Sequence, residues 1–193
     1  MAILTDFKNK LGDIAGGIKL LQNEPLSRHT SFKIGGPAAL MAFPATEEEL
    51  SALLQLSSAL DISPYILGAG TNVLAPDEGI RGMVICLKDS LGGLEQLDDT
   101  HVRIMAGVTM TRAAVFAANL GLSGLEFAHG IPGTVGGGVY MNAGAYGGEI
   151  VQVCESVEVM DMAGNLTTRT NEQMQCSSRH SMLEEEGGIV VSA

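Results

Sequence analysis

Leu4, Phe7, Leu11, Ile14, Ile18 and Leu21 recur at three- and four-residue spacings, a pattern that predicts an amphipathic helix over residues 3–21, weakened by Gly12, Gly16 and Gly17. A stronger helix is predicted over residues 46–60, where Leu50, Leu53, Leu54 and Leu60 line one face and Thr46 with Glu49 spells a capping box. A further helix is expected from about Thr109 to Leu120, capped by Thr109 or Thr111 and stopped by Gly121. Elsewhere the apolar residues fall into short β-rich runs at 65–67, 83–87 and 101–108, the last with Val102, Ile104, Ala106 and Val108 alternating. Residues 156–162 and 166–170 flank Ala163, Gly164 and Asn165 and read as a β-hairpin turning at Gly164. The final stretch, Gly188 to Ala193, reads as strand.

Helices and strands alternate at first, and then strands gather, which points to an α+β fold in two lobes. Polar and turn residues concentrate between 88 and 98 and mark the expected division. The expected organisation is an N-terminal helical arm over 1–21, a first lobe over 22–90 and a second over 91–193.

Composition narrows the function classes. With 193 residues, 46% of them hydrophobic, the chain can bury one sizeable core or two small ones. A net charge of -11 supplies no basic stripe to release counterions from a nucleic-acid backbone. A small anionic ligand remains open, because backbone N–H groups and one or two cations can hold it whatever the overall charge. The longest apolar runs are too short to span a bilayer and the first residues lack the order of a signal peptide, so the expected compartment is the cytoplasm. Cys86, Cys154 and Cys176 have neither metal-ligand spacing nor an even count, so no metal site and no disulfide is expected.

Two glycine-rich stretches carry the candidate chemistry. The first, ILGAGTNVLAPDEG at 66–79, follows a strand as a dinucleotide turn would, but Val73 stands where a third glycine is required and Pro76 stops any helix. It is either an ordinary turn or a tight loop whose N–H groups form a concave anion site, with Thr71 and Asn72 adding a hydroxyl and an amide. The second, HGIPGTVGGGVYMNAGAYGGEI at 129–150, interleaves eight glycines with apolar residues, unlike a flexible linker. Its backbone should be packed, as a strand corner or against a ligand: Gly133, Thr134 and Gly136 could grip a diphosphate while Asn142 to Tyr146 lies along an aromatic ring system.

These stretches, together with NEPLSRHTSFKIGGPA at 23–38, GLSGLEFA at 121–128 and SRHS at 178–181, resemble the UDP-N-acetylenolpyruvoylglucosamine reductase family in order and spacing from about residue 22 onward. The resemblance implies a two-lobed FAD-binding domain of the p-cresol methylhydroxylase/vanillyl-alcohol oxidase type, with noncovalent FAD and NADPH as hydride donor. It implies cofactor contacts from Leu67, Gly68, Ala69, Gly70, Thr71, Asn72 and Val73, from Ile131, Pro132, Gly133, Thr134, Gly136 and Gly137, and from Asn142, Gly144 and Ala145. The substrate it implies is UDP-N-acetylglucosamine enolpyruvate, met by Tyr146 and by Arg179, the counterpart of the family's catalytic arginine, with no obligate protein partner.

Two departures stand out. Ser178 occupies the place of a family tyrosine and Cys176 that of an aromatic, so the packing around Arg179 must differ. The family's proton-donating serine and partner glutamate lie in a C-terminal substrate domain downstream of the matched region, so the resemblance implies a cofactor domain, catalytically incomplete alone; Ser181 matches a different motif. Arg179 could instead be a surface partner of Glu184, Glu185 or Glu186, and Tyr146 a buried structural residue. Two rival readings of the whole are a noncatalytic FAD- or nucleotide-binding module and the flavin subunit of a molybdenum hydroxylase; NAGAYGGEI and SRHS favour the reductase.

Overall fold

A computed structural model describes residues 6–7, 9–12 and 17–193. Of the predicted first helix, residues 6–7 and 9–12 are helical, whereas Leu4 and Ile14 lie outside the described residues. Lys19–Pro25 form strand β1 instead, so the boundary expected between 21 and 22 falls inside a strand. The helical spacing misled because Ile18 and Leu21 continue the Phe7–Leu11 rhythm, while β1 is dictated by its neighbour: it pairs antiparallel with β2 (Pro37–Phe43), Lys19 opposite Phe43. Phe7, Leu11 and Ile18 are buried in the same core as Leu50, Leu53 and Leu54.

Strand β2 has no period-two signal because PAALMAF lies between β1 and β4 (Ile80–Cys86), with apolar clusters against both faces of the sheet. The first sheet runs β1-β2-β4-β3, with β3 at Tyr65–Leu67 and parallel pairing at β2–β4 and β3–β4. Helix α1 (Glu47–Ala59) covers it. The Thr46 hydroxyl accepts the Glu49 N–H at 3.2 Å, but the Glu49 carboxylate takes the Ala45 N–H rather than the Thr46 one, so only half of the predicted capping box forms.

The second sheet is wholly antiparallel. β9 (Ser156–Met160) pairs with β10 (Leu166–Thr170) on one side and β11 (Ile189–Ser192) on the other. The hairpin turns at Gly164 as predicted, with the Asp161 carboxylate accepting the Ala163 and Asn165 N–H groups. Backbone bonds from Ile104 to Ala193 and from Ala106 to Val191 attach β6 (Val102–Ile104) and its partner β5 (Leu94–Gln96), giving the order β10-β9-β11-β6-β5. Helix α2 (Met110–Asn119), capped by Thr109 rather than Thr111, packs on this layer. Where the two sheets meet, the Ser51 hydroxyl of α1 donates to the Gly164 carbonyl, and the Arg103 guanidinium joins Glu47 to Glu158 and Ser192.

The second glycine-rich stretch is more regular than a loop. Glu126–Gly130 is a 3-10 turn, Val135–Tyr140 is helix α3, and β7 (Gly144–Ala145) and β8 (Gly148–Glu149) form a minimal hairpin, followed by a 3-10 turn at Ile150–Gln152. Three glycines inside a six-residue helix oppose helix propensity by about 1 kcal/mol each. Close approach explains one directly: a Cβ on Gly136 would stand 2.8 Å from that of Ala106. Two short helices, α4 (Asn171–Met174) and α5 (Leu183–Glu186), frame the segment that carries Arg179.

Candidate active site

The two glycine-rich stretches, 61 residues apart at their contact, meet face to face. The Thr71 hydroxyl donates to the Pro132 carbonyl at 3.0 Å. Gly68 lies so close to Thr134 that a Cβ there would come within 2.6 Å of the Thr134 hydroxyl. Gly70 adopts φ +63 with the His29 carbonyl where a side chain would begin, and its own carbonyl accepts the Ser31 N–H, which anchors the loop to the 29–31 segment. Among the described residues, the N–H groups of Gly68, Ala69, Gly70, Thr71, Asn72 and Val73 donate to no other group of the chain. A run of free N–H groups on a glycine-pinned loop offers donors suited to phosphate oxygens. Thr134 caps α3 by accepting the Gly137 N–H, and its burial fixes the second wall of this cradle.

Arg179 stands at a second place, a cleft of about 270 Å³ lined by Asn142, Gly144, Ala145, Gly147, Gly148, Glu149, Ser178 and Arg179. It occupies a tight turn closed by reciprocal backbone bonds between Ser177 and His180, at φ 58, a left-handed conformation that costs a side-chain-bearing residue roughly 1–2 kcal/mol. Tyr146 is similar: it and Gly147 form the two-residue turn between β7 and β8, both at positive φ, and the tyrosine is 96% exposed. The reading of Tyr146 as a buried structural residue is therefore excluded. So is the pairing of Arg179 with the acidic run: Glu184 and Glu185 go to His180 and Glu186 to Arg169, and among the described residues Arg179 makes no ion pair.

The neighbouring residues define what this corner can do. Asn142, expected at the cofactor, is 2% exposed and its side-chain amide is spent within the chain on Glu149, Ser177 and Val151, which leaves only its backbone for a ligand. Ser181 is fully buried and donates to the Tyr140 carbonyl at 2.7 Å, which rules it out as a proton donor to a ligand. Burial pushes the Cys176 thiol up and the Cys154 thiol to about 11, so neither is poised as a thiolate. Gly147, Gly148, Glu149 and Ser178 line the cleft without having been expected there; the signal for Glu149 is its place in β8, opposite Gly144. A larger cavity of about 490 Å³ lies over α2 and the second sheet, and none of the expected site residues lines it. No cluster of metal-ligating side chains occurs among the described residues, and no helix there is long and apolar enough to cross a membrane.

The family model of the FAD binding domain matches residues 38–169, which span both glycine-rich stretches. The chain belongs to this FAD-binding family. The domain is 45% identical over 177 residues to the UDP-N-acetylenolpyruvoylglucosamine reductase of Lactobacillus acidophilus, covering 92% of this chain and 59% of that protein. It is 43% identical to the reductase of the same name from Caldanaerobacter subterraneus, covering 96% and 61%. The chain thus spans about three fifths of the length of the curated relatives it matches. The crystal structure of the reductase from Thermus caldophilus superposes with a TM-score of 0.73 at 34% identity, over 91% of this chain and 60% of that one. Alkyldihydroxyacetonephosphate synthase, at 17% identity and a TM-score of 0.70, shares the fold alone. The expected two-lobed fold and the resemblance read from the motifs are both borne out.

Proposed function

We propose that this domain binds FAD noncovalently as the cofactor portion of an NADPH-dependent reductase that converts UDP-N-acetylglucosamine enolpyruvate to UDP-N-acetylmuramate. The observation that carries this reading is Arg179, without an ion pair among the described residues and held in a cleft with the Gly144–Glu149 hairpin, in a chain that also supplies a cradle of free N–H groups. Backbone strain at an arginine is a mark of active sites and ligand clamps, which supports a role for Arg179 toward a ligand.

The residues fit the cofactor. Leu67 to Val73, with Ile131, Pro132, Gly133, Thr134, Gly136 and Gly137, would hold the diphosphate by backbone donors, which solves the problem of binding an anion on a chain of net charge -11. Gly144, Ala145 and the backbone of Asn142 would border the ring system. When bound, FAD supplies hydride uptake from NADPH and hydride delivery to the enolpyruvyl double bond. Arg179 accepts the substrate carboxylate in its planar fork and stabilises the negative charge that grows there. Tyr146, fully exposed at its turn, offers a hydroxyl to the same ligand. The process served is peptidoglycan precursor synthesis, hence cell-wall formation, cell shape and division, in the cytoplasm where NADPH and nucleotide sugars reside.

Titration of the purified chain with FAD, followed by flavin fluorescence and visible absorbance, should show saturation at one cofactor per chain. Absence of saturable binding sinks the reading.

A further inference from the structure

Among the described residues Arg179 has no ion pair to hold it, and the aromatic residues that flank it in the resembling family are replaced by Cys176 and Ser178. Yet its turn is fixed at two points, one on each side. On the N-terminal side the Ser177 carbonyl accepts from Asn142 Nδ2 at 3.0 Å; on the C-terminal side the Ser181 hydroxyl donates to the Tyr140 carbonyl at 2.7 Å. Tyr140 ends α3, and Asn142 lies two residues beyond it. Both anchors therefore tie the turn to the C-terminal end of the helix whose N-terminal cap borders the cofactor cradle.

Asn142 joins more than the turn. Its Nδ2 also donates to Glu149 Oε2 at 3.0 Å, and its Oδ1 accepts the Val151 N–H at 3.0 Å. One buried amide thus satisfies acceptors on β8 and on the arginine turn while receiving a donor from the 3-10 turn after β8. An amide is the group that does this: it presents two donor hydrogens and an acceptor at fixed angles, and a buried network of this kind is costly to break. The residue itself sits at φ 41, a conformation Asn tolerates better than most side chains.

We propose that Asn142 is a positioning residue for Arg179, setting the place of the guanidinium relative to the hairpin that carries Tyr146. The assignment of a substrate to that guanidinium rests on the function proposed above; the clamp itself does not. Asn142→Asp keeps the size but removes both donors, so the Ser177 carbonyl and the Glu149 carboxylate each face a carboxylate. When Asn142→Asp is combined with Glu149→Gln, the amide introduced on β8 donates to the carboxylate introduced after α3 and restores the link between them, while the bond to Ser177 stays lost.

The test is trypsin cleavage of the purified chain at the Arg179–His180 bond, quantified by mass spectrometry against cleavage at its other Lys and Arg bonds. Cleavage follows the opened population of the turn. Loss of one buried hydrogen bond should raise it about tenfold at this bond alone. The double variant should melt within about 3 °C of the unsubstituted chain and still show the faster cut, and it carries the test if Asn142→Asp fails to fold. Cleavage at the unsubstituted rate in the double variant, or acceleration equal at every bond, overturns the proposal. No cofactor is needed, so an unsubstituted chain that fails to bind FAD would refute the reductase reading without touching this result.

Discussion

The hydroxyl of Thr71 donates to the carbonyl of Pro132 at 3.0 Å, and through that bond the two glycine-rich stretches share one surface. Thr71→Val keeps the shape and deletes the donor. A hydrogen bond of this kind is worth about 1 kcal/mol, so FAD affinity should fall roughly fivefold while the melting temperature changes by only a few degrees. Fluorescence titration checks the first and thermal unfolding the second; a larger fall in stability than in affinity would show that the bond serves the fold.

Arg179→Lys and Arg179→Ala separate charge from shape. In a reductase of the relatives' full length carrying this domain, Arg179→Ala should lower kcat by about 10²–10³, the cost typical of removing one donor to a developing oxyanion. Arg179→Lys should recover only part, because a point charge lacks the planar fork. FAD affinity should stay within about twofold in both, since the guanidinium belongs to the cleft rather than the cradle. Steady-state kinetics with the enolpyruvyl substrate decide it.

Gly136→Ala tests packing against propensity. Alanine gains about 1 kcal/mol as a helix former. Its Cβ would meet Ala106 Cβ at 2.8 Å, and Ala106 cannot retreat because its backbone bonds both Gly136 and Val191. Overpacking of this kind costs about 1–3 kcal/mol, so the net effect should be destabilising, read as a lower urea midpoint with an unchanged slope.

A pH effect is expected at the exposed cluster of Asp98, His101 and Glu155. The hydrogen bond and charge of Asp98, then the charge of Glu155, raise His101 above its usual value. A raised folded value means the contribution is complete below about pH 6.5 and fades as pH rises through the raised value. Asp98 works in the opposite sense: hydrogen bonds led by the Thr100 N–H lower it to about 2, so its contribution is lost only as pH falls from its ordinary value near 3.8 toward 2. Urea midpoints measured from pH 6 to 9 should decline slightly in the unsubstituted chain, and His101→Asn should flatten that decline.

The parts of the fold written in local chemistry were legible from sequence. Thr46 announced α1, Gly164 its hairpin and Gly121 the end of α2, because each acts within a few residues of itself, Thr46 by its hydroxyl and the two glycines by their positive φ. What stayed hidden was set by distant neighbours. β2 lacked alternation because it is covered on both faces, and β1 passed for a helix because Ile18 and Leu21 keep a helical rhythm. Gly136 to Gly138 form a helix no propensity would favour. The cradle could be read from its glycines once a family supplied their order. The engagement of Asn142 could not, since its acceptor at Ser177 lies 35 residues away and nothing between them marks the pairing.

Tyr146 and Arg179 both stand where glycine would be the more comfortable residue. Tyr146→Gly and Arg179→Gly should therefore each relieve backbone strain and leave the domain as stable as before or more so. A screen that selects only for thermal resistance would enrich such changes, discarding the arginine of the cleft and the exposed tyrosine at the tip of the neighbouring hairpin. Selection for the proposed reductase activity would run the other way and keep a small, permanent instability at two turn tips.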